Sequence, residues 1–340
     1  MDNLASAQIA IVSFDSLGDS LIYTMMADNL RRNGYSVTLF GTVPYQLKNW
    51  LPDLIIEPYP ELEDFYSTLD HFHLVLMSPS RAIRNSTLPI KLEDVRDRYA
   101  LICQKLPKEW LNDHQTRLKQ RLSLSVFQQI EHLSKAAGSI QFRKFKNESV
   151  VKITLEFMRE KMKLQNVSAE VKLSPSENLK YRKNKHRIII SPDSAWPEKK
   201  DWSPKRFLRL CELLEESGFD PVIVIAPNNY SIWTLMENNR FTTLTFDSID
   251  KLAGYIYESA AVIANDSGNG HLASFLGIPV VTIYRKRNRY FHWRPGWSDN
   301  EVICPKIVLP GLDGPIWRPF IGVGRVKRAL EELLRRVDSK

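Results

Sequence analysis

Residues 8–14 read QIAIVSF, a short apolar, β-branched run whose length and content predict a buried strand. A polar turn with one glycine follows over 15–20. Apolar residues then recur at helical spacing as far as Arg32: Leu21, Ile22, Met25, Met26 and Leu30. Asn33 and Gly34 form a helix stop, and residues 36–40 read as the next strand. A β-turn-α-β opening of this kind predicts a parallel sheet, to which residues 73–77 add another strand.

A second alternating series starts at Arg187. It reads as strand 187–191, helix 203–217 closed by Gly218, strand 221–226, helix 248–258, strand 260–264, a short helix, and strand 278–284. Between the two series, residues from about 81 to 185 are polar, basic and mostly helical in pattern, with 150–163 the best helix among them. The apolar-poor stretch 178–186 reads as a linker. Residues 324–337 carry apolar side chains at Val326, Leu330, Leu333, Leu334 and Val337, the stripe of an amphipathic terminal helix. The fold expected is α/β: two Rossmann-like, doubly wound domains (1–178 and 186–322, then the helix 323–340) facing across a cleft, with ligand at the carboxyl ends of the strands.

Composition narrows the class. At 340 residues the chain is long for one core, which favours two domains of ordinary size. A hydrophobic fraction of 43% with 25% charged residues is that of a soluble globular protein. No apolar run approaches the roughly 18 residues of a membrane span. The opening MDNLASAQ lacks the basic start and apolar core of a secretory signal. Cys103, Cys211 and Cys304 form no CxxC pair, so a reduced, cytoplasmic protein without structural zinc is expected. The net charge of +8 is uneven: residues 105–187 hold 19 Lys and Arg against 8 Asp and Glu. Such a segment suits an anionic partner (phosphorylated lipid, the inner leaflet, nucleic acid), and equally a solvated helical face.

Four places carry candidate chemistry. In residues 265–275, NDSGNGHLASF, a turn with a carboxylate, a hydroxyl and two glycines opens a helix between two strands. Free amides and the helix dipole there favour an anion, which points to a nucleotide or sugar phosphate. Asp266 is a candidate cap or hydroxyl ligand, Ser267, Gly268 and Asn269 offer backbone N–H groups, and His271 points either to ligand or into packing. The first turn, FDSLGDS, has no GxGxxG spacing. It offers Asp19 after Gly18, either as a helix cap or as a base for an acceptor hydroxyl, with Asp15 the competitor. The loop 191–204, SPDSAWPEKKDWSP, places Lys199 and Lys200 where they could neutralise a diphosphate. Its Trp196 and Trp202 either pack the loop or stack on a base. Residues 285–297 interleave basic and aromatic side chains, including His292 and Arg294; beside the phosphate site they suit sugar, nucleotide or acceptor phosphate better than nucleic acid. No metal-ligand spacing occurs, so neither a metal nor another cofactor is expected.

With these residues in view, the chain resembles glycosyltransferase family 9, the bacterial ADP-heptose heptosyltransferases, which have the GT-B fold. IAIVSFDSLGDSLIYT resembles that family's opening strand, "SxGD" and helix. SPDSAWPEKKDWSPKRFLRL is similar to its "PGASxxxKxWPxxxF" segment, and NDSGNGHLASFLGIPVVTIY to its "DTGxxHLAAALGxPxVxLF". The resemblance implies a GT-B arrangement with an acceptor-side first domain and a nucleotide-sugar-binding second one. It also implies an inverting transfer of a heptose-like sugar from ADP-heptose to a lipopolysaccharide core or related glycan. Asp19 matches the general base and Lys200 the lysine on the donor diphosphate, with Lys199 one residue away. Asp266, Ser267, Gly268 and His271 match the donor-binding motif, Ser267 standing where threonine is usual. Ser16, Gly18, Trp202, His292 and Arg294 are further candidates for acceptor or donor contact. Partners implied are a nucleotide sugar and a phosphorylated lipid or glycan, with peripheral inner-membrane contact through the basic region left open and nucleic acid excluded. Two departures stand out. Asn228 and Asn229 fall where the family offers an acid for the ribose, which leaves another nucleotide sugar, a protein acceptor or a non-catalytic binding module as alternatives. Asn269-Gly270 replaces the usual pair before the histidine, which should loosen that turn.

Overall fold

The apolar runs become the inner strands of two separate parallel sheets in the computed structural model, which describes residues 6–14, 16–61, 63–78, 97–237, 240–285, 288–306 and 315–340. The chain divides into two compact units, Met1–Ser174 and Pro175–Lys340.

The described elements of the first unit are β1 (Gln8–Val12), α1 (Leu17–Arg32), β2 (Ser36–Phe40), α2 (Thr42–Gln46), β3 (Ile55–Glu57), α3 (Phe65–Leu69), β4 (Leu74–Met77), β5 (Tyr99–Leu101), α4 (Lys108–Arg121), α5 (Leu124–Lys135) and α6 (Val150–Glu160). The sheet order is β3-β2-β1-β4-β5 and every pairing is parallel. Chain order reverses between β1 and β4, and such a sheet takes its ligands at the carboxyl ends of those two strands. The turn holding Ser16, Gly18 and Asp19 leaves β1 there. Ser16, not Asp19, is the N-cap of α1: its Oγ accepts from the Asp19 amide at 3.4 Å and donates back to Asp19 Oδ2. Asp19 therefore occupies the third helical position, as in a capping box. Asn33 ends the helix, and Gly34 at φ +87° supplies the left-handed residue the stop requires. The region expected to be helical contains α4, α5 and α6, but it also contains β5, whose three residues are all buried.

The second unit contains β6 (Asn184–Ser191), α7 (Pro197–Lys200), α8 (Pro204–Glu215), β7 (Asp220–Val224), α9 (Tyr230–Glu237), β8 (Thr242–Leu244), α10 (Ile249–Tyr257), β9 (Ser259–Asn265), α11 (Gly268–Phe275), β10 (Val280–Ile283), β11 (Asn300–Ile303) and α12 (Val323–Asp338). The order β11-β10-β9-β6-β7-β8 is again wholly parallel, and here the reversal falls between β6 and β9. β9 is buried along its whole length, as a strand with paired neighbours and covered faces must be. α12 buries Val326, Ala329, Leu330, Leu333 and Leu334 in the same core as Ile188, Phe207 and Ile263, so the terminal helix is part of this unit.

The stretch 178–186, expected to be a linker, is built into the second unit. Arg182 is 3% exposed; its Nε donates to the Ala260 carbonyl at 3.0 Å and its guanidinium reaches Asp338 at 2.8 Å. A low apolar content hid this anchoring, which is made by a paired charge rather than by hydrophobic burial. Among the described residues no helix is long and apolar enough to cross a membrane.

Candidate functional site

At the switch point of the first unit, Asp19 is half-buried, Gly18 is buried and Ser16 is exposed. One turn beyond Asp19, the buried Tyr23 bonds through its side chain to Ser78, the residue after β4. Burial above all, with Asp19 and Cys103 adding, pushes the Tyr23 phenol well up, while the bond to Ser78 works the other way. It stays an O–H at any ordinary pH. Among the described residues, the carboxyl ends of β1, β4 and β5 thus gather the Asp19 carboxylate with Tyr23, Ser78 and Cys103. Asp15 lies outside the described residues.

At the switch point of the second unit, Asn265 ends β9 and joins the loops on either side. Its Oδ1 accepts from the Trp202 amide at 3.1 Å, and its amide donates to the Pro192 carbonyl. This fixes the loop after β6 against the turn after β9. Lys200, the last residue of α7, then meets Asp266 at 2.8 Å. Burial raises the Asp266 carboxyl above its ordinary range, and Lys200 and then Arg285 draw it back. The Lys200 ammonium also stands 5.1 Å from the Trp196 ring centre. An ammonium has three donors, so one spent on Asp266 leaves capacity for a phosphate oxygen.

Ser267 holds the N-cap position of α11 without making a side-chain cap bond, and its buried Oγ finds no hydrogen-bond partner among the described residues. The amides that open α11 are the orphan donors of a helix start, with the dipole behind them. His271, one turn in, is buried, and its Nδ1 likewise lacks a partner among the described residues. Burial first, then Lys200, lowers its pKa to about 4, so the ring is neutral at physiological pH. It can donate or accept a hydrogen bond there, but it adds no charge. The turn expected to be loose is tied instead: Asn269 Nδ2 donates to Ser191 Oγ at 2.9 Å, bridging α11 to the end of β6.

The structure separates other candidates. Trp202 is completely buried and gives its indole N–H to the Arg318 carbonyl at 3.3 Å, so it belongs to the core and cannot stack on a base. Trp196 is 64% exposed and remains able to. The Lys199 carbonyl accepts from the Trp317 indole at 3.1 Å. His292 is buried, Arg294 is partly buried, and the backbone between them is held by the Tyr284 hydroxyl on the Trp293 carbonyl at 3.0 Å. Lys286 and Arg287 lie outside the described residues. No group of three or more His, Cys, Asp or Glu able to hold a metal occurs among the described residues.

One further carboxylate escaped the sequence reading. Burial foremost, and the neighbouring Asp193, push Asp201 up to about 6, against hydrogen bonds from Ser194 and Asn265 and the charge of Arg318. Its native pKa exceeds the unfolded value, so its contribution to stability is whole below the ordinary carboxylate pKa and is lost as pH rises through about 6. Asp201→Asn, permanently neutral, should therefore gain on the parent between pH 4 and pH 8. The gain should be about 1 kcal/mol once partial exposure is allowed for. Urea unfolding at the two pH values checks this; an equal difference at both would contradict it.

The family model for glycosyltransferase family 9 (heptosyltransferase) matches residues 98–308. The chain belongs to glycosyltransferase family 9. It is therefore a glycosyltransferase of the heptosyltransferase family, as the three motifs led us to expect. No curated protein matches the chain. Among solved structures it is similar to the glycosyl transferase family 9 protein of Veillonella parvula DSM 2008, at TM-score 0.66 and 14% identity over 97% of this chain and 98% of that one. E. coli ADP-heptose LPS heptosyltransferase II aligns at TM-score 0.65 and 14% identity, over 97% and 99% of the two chains. E. coli heptosyltransferase WaaC with ADP aligns at TM-score 0.63 and 13% identity, over 96% and 99%. At such identities the likeness carries the fold, which is that of these family 9 enzymes: two parallel-sheet α/β domains.

After β7 the two asparagines Asn228 and Asn229 fall in the 3-10 turn Pro227–Asn229, closed by the Asn229 amide on the Ala226 carbonyl at 2.9 Å. The Ala226 amide in turn is held by Asp193 Oδ2 at 2.7 Å. Asp193, on the loop after β6, thus fixes that turn, a role invisible in the sequence because its partner lies 33 residues away.

Proposed function

We propose that this family 9 transferase moves a heptose-like sugar from ADP-heptose to a lipopolysaccharide core or related glycan hydroxyl, with inversion and without a metal. The observation that carries the reading is the Lys200–Asp266 pair at 2.8 Å beside the uncapped start of α11. It places a cation and orphan amides together, the donor set a diphosphate needs. Lys200 and the α11 amides would take up negative charge as the diphosphate leaves. Asp266 would orient the ammonium, and neutral His271 would hydrogen-bond rather than charge-pair. Asp19, on the first unit, would draw the proton from the acceptor hydroxyl as its oxygen attacks the anomeric carbon. The transition state is expected to be oxocarbenium-like, as in other glycosyl transfers.

The acceptor would be a phosphorylated lipid or glycan. Part of the basic stretch lies on α4, α5 and α6 of the first unit, where Arg117, Lys135, Lys152 and Arg159 pair with acids on or next to their own helices, and its last cations, from Lys180 to Arg187, belong to the second unit. The remaining excess of cations is what would meet an anionic acceptor or a leaflet. A second reading, resting on Asn228 and Asn229, keeps the reaction but changes the donor to another nucleotide sugar, or the acceptor to a protein.

Thermal melts separate the donors, because a ligand bound only by the folded state raises the melting temperature, by about 2.7 kcal/mol of added stability at a hundredfold excess over Kd. ADP should raise it more than UDP or GDP at equal concentration. A transfer assay with ADP-heptose and core oligosaccharide should then yield a heptosylated product. Protection by UDP or GDP alone would move the reading to the second donor.

A further inference from the structure

We propose that Arg318, assisted by Trp317, is a positioning residue for the transfer reaction, setting where Lys200 stands; this rests on the reading that Lys200 meets the donor diphosphate. α7 has only four residues, Pro197–Lys200, far fewer than a helix needs to persist alone. Its Pro197 carbonyl accepts from the Asp201 amide at 3.1 Å, but the carbonyls after it have no partner within the helix. The segment Pro315–Phe320, more than a hundred residues on, supplies them. Arg318 Nη2 donates to the Pro197 carbonyl at 3.0 Å and to the Glu198 carbonyl at 3.2 Å, and its Nε donates to the Asp201 carbonyl at 2.7 Å. Trp317 Nε1 takes the Lys199 carbonyl at 3.1 Å. Trp202 returns a bond to the Arg318 carbonyl at 3.3 Å. The backbone from 197 to 201 is thereby held at every carbonyl but that of Lys200.

The anchor is firm because Trp317, Trp202 and Ile321 belong to the core of the second unit. A guanidinium is suited to the task, since its planar fork reaches several carbonyls at fixed angles and its charge complements the carboxyl end of the helix. Lys200 ends α7, so the direction of its side chain toward Asp266 follows from this clamp. An ammonium at 318 would reach one carbonyl where the fork reaches three.

The test is a double-mutant cycle on the full chain, read as ADP affinity by calorimetry and as donor KM against kcat. Arg318→Ala should raise the ADP Kd and the donor KM about tenfold, and Arg318→Lys should recover only part of that. In a Lys200→Ala background, Arg318→Ala should change the ADP Kd by less than about twofold, because residues acting through one group are not additive. Trp317→Phe, which keeps the ring and removes its N–H, should shift the ADP Kd in the same direction by a smaller factor, and supports the proposal even if Arg318→Ala folds poorly. An Arg318 effect of full size in both backgrounds, or none in either, overturns it. ADP binding unchanged by Lys200→Ala alone overturns instead the reading on which it rests.

Discussion

Asp19→Asn should lower sugar transfer by about 10²–10⁴-fold, the usual worth of a positioned general base, while ADP affinity stays within about twofold. Asparagine is the better replacement because Asp19 also shares the first turn of α1 with Ser16, whose Oγ contacts both its amide and its carboxylate. Asn keeps a hydrogen-bonding side chain in that turn and removes only the basicity. Asp19→Ala would also remove the side-chain contact with the Ser16 hydroxyl, although the cap from Ser16 to the amide of residue 19 would remain. Steady-state transfer rates alongside melting temperature check this. A variant that melts like the parent and still transfers at near-parental rate would remove Asp19 from the base role.

Lys200→Ala should reduce kcat/KM by about 10²–10³-fold, as expected for loss of a group that meets charge developing on the leaving diphosphate. It should also cost stability, because Asp266 is then left largely buried beside a helix start without its 2.8 Å partner. Asp266→Asn added to Lys200→Ala should return part of the stability and none of the rate. That split distinguishes the structural share of the pair from its chemical share. Recovery of turnover by the double variant would show that Lys200 serves folding alone.

The parts of this account legible in the sequence are those with local causes. β1, β2, β6 and β9 are apolar runs between turn residues, and α1 and α12 carry one-sided apolar spacing; sequence order alone then required parallel sheets. Short outer strands escaped: β3, with the burial pattern exposed-buried-exposed, and β11, with one buried residue, are too brief to show a period. Motif positions marked the turn chemistry, yet the identity of the cap did not follow. Asp19 and Ser16 are both good N-caps, and only the backbone shows that Ser16 has the extended conformation of one. Trp196 and Trp202 were indistinguishable six positions apart because the burial of Trp202 depends on Arg318 and the core around it. Arg318 itself gave no local signal. Every carbonyl it holds belongs to α7 or the residue after it, well over a hundred residues earlier.

The measurement that bears most directly on the central claim is calorimetric titration of ADP into the parent, Lys200→Ala and Asp19→Asn proteins. A diphosphate held by Lys200 and the start of α11 predicts Kd at least about tenfold weaker for Lys200→Ala and unchanged for Asp19→Asn. Parental affinity in Lys200→Ala, or a loss confined to Asp19→Asn, would contradict it.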